Sequence, residues 1–199
     1  MVDSEPLWFE VEREFARERG GDFTEEMARA CIGRGIASTV TMMQRAFGFP
    51  VDPERDEADI IERFMGRVGQ LRLKPGFLEL FEETETRRLP RALASSSARR
   101  LVHATLDRFA LRQRFGAVVT RDCVEHPKPA PDIFLEAARR LGVAAEGCVV
   151  LEDSKSGVHA ARAAGMKVIA VPEADVESFE PLADAVVADL HAARALLSF

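Results

Sequence analysis

The sequence lacks the features that mark membrane-spanning, secreted or nucleic-acid-binding proteins. No apolar run approaches the roughly 18 residues that a membrane helix needs, and the acids Asp3 and Glu5 do not fit a signal peptide. Basic residues are outnumbered, 27 against 33 acidic ones, which gives a formal net charge of −6. This balance argues against nucleic acid or an anionic membrane surface as the main partner.

Cysteine is scarce as well, and histidine shows no metal-ligand spacing. The three cysteines are odd in number and form no C-x-x-C pair, so reduced thiols in a cytoplasmic protein are expected. With 199 residues, 47% of them hydrophobic, the chain can bury a core in one domain, or in one domain and a smaller partner.

Residues 5–74 carry helical patterns and no obvious strand. Apolar residues recur at helical spacing, for instance at Leu7, Val11 and Phe15, and glycines follow the ends of the stripes. The dipeptide Asp52–Pro53 is typical of a helix start. We therefore expect a small four-helix unit over this range.

After Gly76 the pattern changes to short apolar runs that are separated by helical stretches. The runs are PRALA (90–94), AVV (117–119), CVVL (148–151), VIAV (168–171) and AVVA (185–188). This alternation predicts an α/β fold with a doubly wound parallel sheet, built from residues 1–4 and 75–199. Because ligands bind at the carboxyl ends of strands in such sheets, the residues directly after each run are the candidates for a functional site.

Three serines, Ser95, Ser96 and Ser97, follow the first of these runs and precede a helical stretch. Hydroxyl and backbone N–H groups at a helix start form a ready anion site. The alternative is that one serine simply caps the helix. The pattern alone leaves both interpretations open.

Lys128 lies between two prolines in HPKPAPDIF (126–134), on a stiff extended backbone. A cation held in this way neutralises a phosphate with little loss of conformational entropy. The alternative is a solvated surface lysine. The second proline and the helix start downstream favour a position that is fixed for a purpose.

Two adjacent acids, Glu152 and Asp153, end the apolar run Val149–Leu151. Carboxylates in such a place repel each other and lose hydration, so a compensating cation is expected. Mg²⁺ prefers oxygen ligands and needs few protein carboxylates, which predicts a magnesium site. The alternative is that the acids only favour the N-terminus of the helix that follows.

Taken in order, these three motifs resemble those of a known family. ALASSS (92–97), KPAPDIF (128–134) and LEDSKSGVHAARAAGM (151–166) are similar to the second, third and fourth motifs of the haloacid dehalogenase-like hydrolases. The closer resemblance is to their sugar-phosphate phosphatase and β-phosphoglucomutase branch. VDSEPLW (2–8) resembles the segment just after the first motif, and residues 5–74 resemble the family's helical cap. The resemblance covers essentially the whole chain and implies a Rossmann-like core.

The resemblance implies a role for each candidate residue. Ser95 would donate its hydroxyl to the transferring phosphoryl group, helped by backbone N–H groups around Ser96, and Lys128 would neutralise that group. Asp153 would bind Mg²⁺, with Glu152 as a ligand or close support. The implied activity is a Mg²⁺-dependent phosphatase of small phosphorylated metabolites, sugar phosphates above all, that passes through an aspartyl-phosphate.

The specificity loop of the family would correspond to CIGRG (31–35). Arg34, flanked by glycines, would reach a second anionic or hydroxyl-rich part of the substrate; the alternative is a solvated loop arginine. A small phosphorylated metabolite is the partner that the resemblance implies, and a monomer is expected.

The sequence departs from the family at its first motif. That motif reads D-x-D-G and supplies the nucleophile and the acid/base, yet no D-x-D-G occurs here. Its acids would precede Met1, and the strand that carries them, expected between the runs 90–94 and 148–151, would be missing. A late start codon or a shortened polypeptide would explain this, and the chain as written is expected to be inactive. The alternatives are a β-phosphoglucomutase-like isomerase and a non-catalytic remnant that binds a phosphorylated ligand.

Overall fold

The computed structural model describes residues 1–31, 35–173 and 175–197. The chain divides into two compact units: residues 2–72 form one, and Met1 with residues 73–199 forms the other. The sequence placed this division slightly later, at residues 5 and 74, and its interpretation of the first unit as a cap stays a prediction. Arg34 lies outside the described residues.

Four α-helices make up the first unit within its described residues. They are α1 (Glu5–Glu18), α2 (Glu25–Cys31), α3 (Ile36–Phe47) and α4 (Pro53–Met65). Asp52 caps α4, because its side chain accepts a hydrogen bond from the backbone N–H of Arg55 at 3.2 Å. Two-residue strands, β1 (Val2–Asp3) and β2 (Arg72–Leu73), pair with each other. The sequence missed them because two residues are too short to show an alternating pattern.

Apolar side chains of the helical stripes form the core of this unit. Phe15, Val40 and Ile60 have no exposed surface, and each contributes about 1.5–3 kcal/mol by its burial. Trp8 stacks on Phe64 with ring centres 3.9 Å apart. The core thus joins three of the four helices through the residues that the helical periodicity singles out.

Parallel strands and helices alternate in the second unit. Its strands are β3 (Ala92–Ser95), β4 (Ala117–Thr120), β5 (Val149–Glu152), β6 (Lys167–Ala170) and β7 (Ala185–Val186). Its helices are α5 (Phe77–Thr86), α6 (Arg99–Arg108), α7 (Asp132–Leu141), α8 (Lys155–Ala163) and α9 (Leu190–Leu196). Each strand overlaps a predicted apolar run, and their ladders are parallel. The predicted doubly wound α/β fold is confirmed.

In the described part of the chain, no helix has the length and apolar composition to cross a bilayer.

The parallel strands fall into two groups. β3 pairs with β4, whereas β5, β6 and β7 form a second sheet in that order. Among the described strands, β3 and β5 therefore each have a partner on one edge alone. All four β3 residues are half-buried, and Val149 on β5 is 44% exposed, although strands of a parallel sheet are normally buried on both faces. This separation does not conflict with the expected missing strand, which stays a prediction.

A single apolar cluster covers both groups of strands. Val119 of β4 and Val150 of β5 belong to it, together with Ile133 and Phe134 of α7 and Val158 of α8. Helix α7 packs on β3 and β4, α8 packs on β5 and β6, and the two helices contact each other, so the carboxyl ends of β3 and β5 stay within reach of one another.

Two acids of the helical unit are buried among its described residues, Glu12 and Asp56, and Asp56 is paired with Arg19. Glu12 on α1 is 7% exposed. Loss of hydration raises the pKa of Glu12 to about 7; a hydrogen bond with Thr39 opposes this effect, and the charge of Glu5 adds to it. Thr39 on α3 is itself buried, so water does not screen the carboxyl from that side.

Glu12 makes the stability of the fold depend on pH. Between its ordinary pKa of 4.5 and about 7, the folded chain keeps a proton that the unfolded chain has lost. The free energy of unfolding should therefore fall as the pH rises through this range, by an amount on the order of 3 kcal/mol. Glu12→Gln should remove this part of the pH dependence, as measured by urea denaturation at about pH 5 and pH 8.

Glu10→Gln is the matched control, because Glu10 is an exposed carboxyl on the same helix. It should keep the pH dependence of the unmodified chain. If both variants lost stability with pH as the unmodified chain does, Glu12 would not be the group responsible.

Candidate active site

Lys128 connects the carboxyl ends of β3 and β5. Its ammonium donates a short hydrogen bond to the carboxylate of Glu152 and lies 3.5 Å from the carbonyl oxygen of Ala94. Ala94 directly precedes Ser95 at the end of β3. The structure therefore brings together three of the predicted site residues: Ser95, Lys128 and Glu152.

The ion pair between Lys128 and Glu152 is buried. The two side chains are 7% and 9% exposed, and the ammonium lies 4.8 Å from the centre of the Phe134 ring. A solvated surface lysine is therefore ruled out. Because both charges are removed from water, each depends on the other for its compensation.

Ser154 holds the Glu152 carboxylate from the other side. Its hydroxyl donates to Glu152 Oε2 at 3.0 Å and accepts a hydrogen bond from the backbone N–H of Gly157 at 3.1 Å. The second bond caps α8. Since Ser154 supplies the cap, neither Glu152 nor Asp153 is needed to begin this helix.

Gly157 provides the space that the Glu152 carboxylate fills. A Cβ atom at this position would lie 2.1 Å from the carboxyl carbon of Glu152. Sequence reasoning missed this role. The available signal was a glycine in the first turn of a helix, where glycine is intrinsically unfavourable.

A second pair of charges lies beside the first. Lys74 Nζ is 2.9 Å from Asp153 Oδ2 and 2.8 Å from Glu173 Oε1. Neither Lys74 nor Glu173 was predicted from the sequence. The signal that could have found Lys74 is the same as for Lys128, since each lysine directly precedes a proline.

In this second cluster, the pKa of Asp153 is lowered and that of Lys74 is raised, so both side chains are ionised. Loss of hydration raises the pKa of Asp153, but Lys74, the Met1 α-amino group and Lys128 together outweigh it and hold the pKa below its ordinary value. Loss of hydration likewise lowers the pKa of Lys74, and its two carboxylate partners reverse the direction. Asp153 is therefore an anion that already has a cation beside it.

The serines after β3 do not cap α6. The residue before this helix is Ala98, and it makes no side-chain cap. The first helical N–H group, that of Arg99, donates instead to Asp122 Oδ2 at 2.7 Å. Ser95 Oγ accepts a hydrogen bond from the Ser97 N–H at 3.2 Å. The capping interpretation is therefore wrong, and the serines lie at the strand end where a ligand is expected.

The sequence matches the profile of a protein family, described as haloacid dehalogenase-like hydrolase, over residues 1–171. The chain belongs to this family. The resemblance inferred from its three motifs is thereby confirmed. The family is one of hydrolases, and relatives of this chain are named phosphatases, so the expectation that the chain is a phosphoric monoester hydrolase by family is confirmed.

Similar proteins agree with this assignment. The chain is 35% identical over 179 residues to the phosphorylated carbohydrates phosphatase of Thermotoga maritima, covering 85% of this chain and 79% of that protein. It spans less of some other curated relatives: 46% of one and 17% of another.

Solved structures of the same fold are also similar. One, a "putative beta-phosphoglucomutase" from Thermotoga maritima, has 31% identity and a TM-score of 0.78, with 99% of this chain and 95% of that chain covered. Another, CbbY from Rhodobacter sphaeroides in complex with phosphate, has 26% identity and a TM-score of 0.85, with 96% and 90% covered.

The haloacid dehalogenase-like fold raises the question of a metal. Glu152 and Asp153 offer the oxygen atoms that Mg²⁺ prefers, but each is paired with a lysine. In residues 1–31, 35–173 and 175–197, no three His, Cys, Asp or Glu side chains are grouped so as to hold a metal. As arranged, these residues form ion pairs rather than a metal site, and the predicted roles of Ser95, Ser96, Lys128, Glu152 and Asp153 stay predictions.

The buried space next to Glu152 gives the first prediction from this site. Gly157→Ala should push the carboxylate away from Lys128 and lower the free energy of unfolding by about 1–3 kcal/mol. Urea denaturation measures the loss. Gly147→Ala is the control, because a Cβ there meets nothing within 4 Å; it should leave stability equal or slightly raised. Equal midpoints for both variants would contradict the close contact.

The buried ion pair gives the second prediction. Lys128→Met should cost about 3–5 kcal/mol of stability, because it leaves the Glu152 charge buried and uncompensated. Adding Glu152→Gln should recover part of this loss, which a double-mutant cycle on urea midpoints would show. Lys155→Met is the control: its partner is Asp175 and both side chains are largely exposed, so it should cost at most about 1 kcal/mol. Strictly additive losses at Lys128 and Glu152 would contradict the pairing.

Proposed function

We propose that this protein is a Mg²⁺-dependent phosphatase of small phosphorylated metabolites, sugar phosphates above all. The observation that carries the proposal is the position of Lys128, whose ammonium lies between the end of β3, where the serines begin, and the Glu152 carboxylate. A fixed cation next to hydroxyl and backbone N–H groups is the arrangement that phosphoryl transfer needs.

In this proposal, each residue at the strand ends acts through its position. Ser95 donates its hydroxyl to the phosphoryl group, and the backbone around Ser96 contributes N–H groups. Lys128 neutralises the charge that spreads over the phosphoryl oxygens in the transition state. Since Glu152 and the flanking prolines hold the ammonium in place, little reorganisation is needed when the substrate binds.

Mg²⁺ belongs to the proposal as well. Asp153 would hold the ion, with Glu152 as a ligand or close support, and the bound ion would supply further positive charge next to the phosphate. For Asp153 to do so, it must exchange its contact with Lys74. A cytoplasmic location and a monomeric state stay predictions.

The relatives support the substrate class. The Thermotoga maritima relative is named for phosphorylated carbohydrates, and a sugar carries both a phosphate and hydroxyl groups for recognition. Arg34 would contact this second part of the substrate. A second candidate is an isomerase of sugar phosphates, which the similarity to the Thermotoga maritima "putative beta-phosphoglucomutase" favours.

The nucleophile decides how the proposal is tested. The family's aspartyl-phosphate requires a free carboxylate, but the 199 residues contain no D-x-D-G, and the carboxylates of Glu152 and Asp153 are held by lysines. We expect no turnover from a polypeptide of these residues alone. A version preceded by about ten to fifteen residues that form a strand and end in D-x-D-G should release phosphate from sugar phosphates when Mg²⁺ is present.

Three controls sharpen this experiment. The extension with both motif aspartates replaced by asparagine should be inactive, and Asp153→Asn in the active version should abolish turnover and weaken Mg²⁺ binding. Phosphorus NMR of the products separates phosphate release from an isomerised sugar phosphate. A folded, extended chain that turns over no substrate but binds phosphate would favour the non-catalytic alternative. Turnover by the 199 residues alone would contradict the assigned roles.

A further inference from the structure

The serine segment, Ser95–Ser97, is fastened to the neighbouring strand at both of its ends. At its start, Ser95 pairs with Thr120 in the last step of the parallel β3–β4 ladder. Just past its end, the N–H group of Arg99 donates a hydrogen bond to Asp122 Oδ2 at 2.7 Å. A segment held at both ends keeps its hydroxyl and N–H groups in one arrangement, which a ligand meets without paying to order it.

Contacts between the loops that follow β3 and β4 continue the ladder beyond the sheet. The N–H group of Arg121 donates to the carbonyl of Ser97 at 3.3 Å. The hydroxyl of Thr120, which is 1% exposed, donates to Asp122 Oδ2 at 3.3 Å. Since Thr120 is fixed in the interior of the sheet, it orients the Asp122 carboxylate. Asp122 is thus the side chain through which the loop after β4 holds the start of α6.

The residue that precedes α6 cannot cap the helix itself. Ala98 has the extended backbone of a normal N-cap, with φ −62° and ψ 147°, but it lacks a side chain that could accept a hydrogen bond. Asp122 supplies the acceptor from another strand. The N–H group of Arg99 is the main cause of the lowered pKa of Asp122. Because an ionised carboxylate satisfies the helix start, the serine hydroxyls stay available to a ligand.

The charges at the two ends of the serine segment have opposite signs. Before the segment, the Lys128 ammonium lies 3.5 Å from the carbonyl oxygen of Ala94. After it, the Asp122 carboxylate occupies the N–H group of Arg99. The start of a helix attracts anions, but a carboxylate that is already bound there repels a second anion. A phosphate is therefore directed towards the serines and Lys128 and away from the first N–H group of α6.

We propose that Asp122 is a positioning residue of the phosphoryl site. Its carboxylate fastens the start of α6 to β4, so that the serine segment keeps its place beside Lys128, and it closes the first N–H group of the helix to other anions. The inference rests on the proposed roles of Ser95 and Ser96 and deepens them, because it assigns the residue that orients both. It involves no metal ion.

The test uses inorganic phosphate and follows the backbone amides of the full chain by NMR, in a buffer without divalent cations. In the unmodified chain, phosphate should shift the amides of residues 95–98. Asp122→Ala should bind phosphate about fivefold to tenfold more weakly, a factor set by the cost of losing a helix cap, and should show a new shift at Arg99. Asp122→Asn keeps an oxygen acceptor without the charge and should bind phosphate at least as tightly as the unmodified chain.

The direction of the change separates positioning from charge. Removing a negative charge near an anion site favours anion binding by itself. A pure charge effect would therefore strengthen phosphate binding in both Asp122→Ala and Asp122→Asn, and this result would overturn the proposal. Glu125→Ala is the matched control, because Glu125 is an exposed acid of the same loop; it should leave the phosphate affinity equal or slightly raised.

A second variant separates positioning from helix stability. Ala98→Ser, added to Asp122→Ala, gives α6 a cap from its own chain in a backbone conformation that suits one. Urea denaturation should then show a recovered midpoint, whereas the phosphate affinity should stay low because β4 no longer holds the helix start. Recovery of both would show that Asp122 acts through helix stability alone, and the inference would be wrong.

The outcomes also separate this inference from the proposed function. If the extended protein turns over substrate equally well with Asp122→Ala and with Asp122→Asn, the inference is wrong and the phosphatase stands. If the phosphate affinities follow the expected order but the extended protein shows no turnover, the role of Asp122 is supported and the phosphatase is contradicted. An unmodified chain in which phosphate shifts no amide of residues 95–98 would contradict both the assigned role of the serines and this inference.

Discussion

The ammonium of Lys128 contacts both sets of strands in the described part of the α/β unit. It lies 3.5 Å from the carbonyl oxygen of Ala94 near the end of β3 and is paired with Glu152, the acid that ends β5. No strand pairing joins β3 to β5 in the described residues. The ends of these two strands are therefore held in place by the buried ion pair and by helices α7 and α8. Two neighbouring residues serve the same ion pair. The hydroxyl of Ser154 donates a hydrogen bond to the Glu152 carboxylate, and the absence of a side chain at Gly157 leaves space for it.

Each acid of the adjacent pair has its own lysine. Glu152 is matched by Lys128 and Asp153 by Lys74, and both lysines precede a proline. A proline restricts the backbone of the residue before it, which lowers the entropy that is lost when a long side chain is fixed over a carboxylate. The repulsion between two neighbouring acids at the end of β5 is thus compensated by two separate segments of the chain, one between β4 and α7 and the other just before α5.

Much of this architecture could be predicted from the sequence, because parallel strands are buried and their apolar runs stand out. The five runs after residue 76 each became a strand, and Lys128 was found from its prolines. What was missed depends on packing between distant segments. Nothing local reveals that Glu173 reaches Lys74, that Asp122 rather than a serine satisfies the start of α6, or that Gly157 faces a carboxylate. The burial of Glu12 could not be predicted either, because it depends on how α1 packs against the other helices.

The division of the parallel strands into two groups has a consequence for how the α/β unit opens. β6 has a hydrogen-bonded strand on both sides, whereas β3 and β5 each have one in the part of the chain that the structure describes. Opening the β3–β4 ladder therefore breaks no backbone bond to the other sheet, so the two groups can exchange their amide hydrogens as separate cooperative units. Protection should be graded along the strand order, with the amides of β6 slowest and those of β3 markedly faster, and the candidate site lies where the two groups of strands meet.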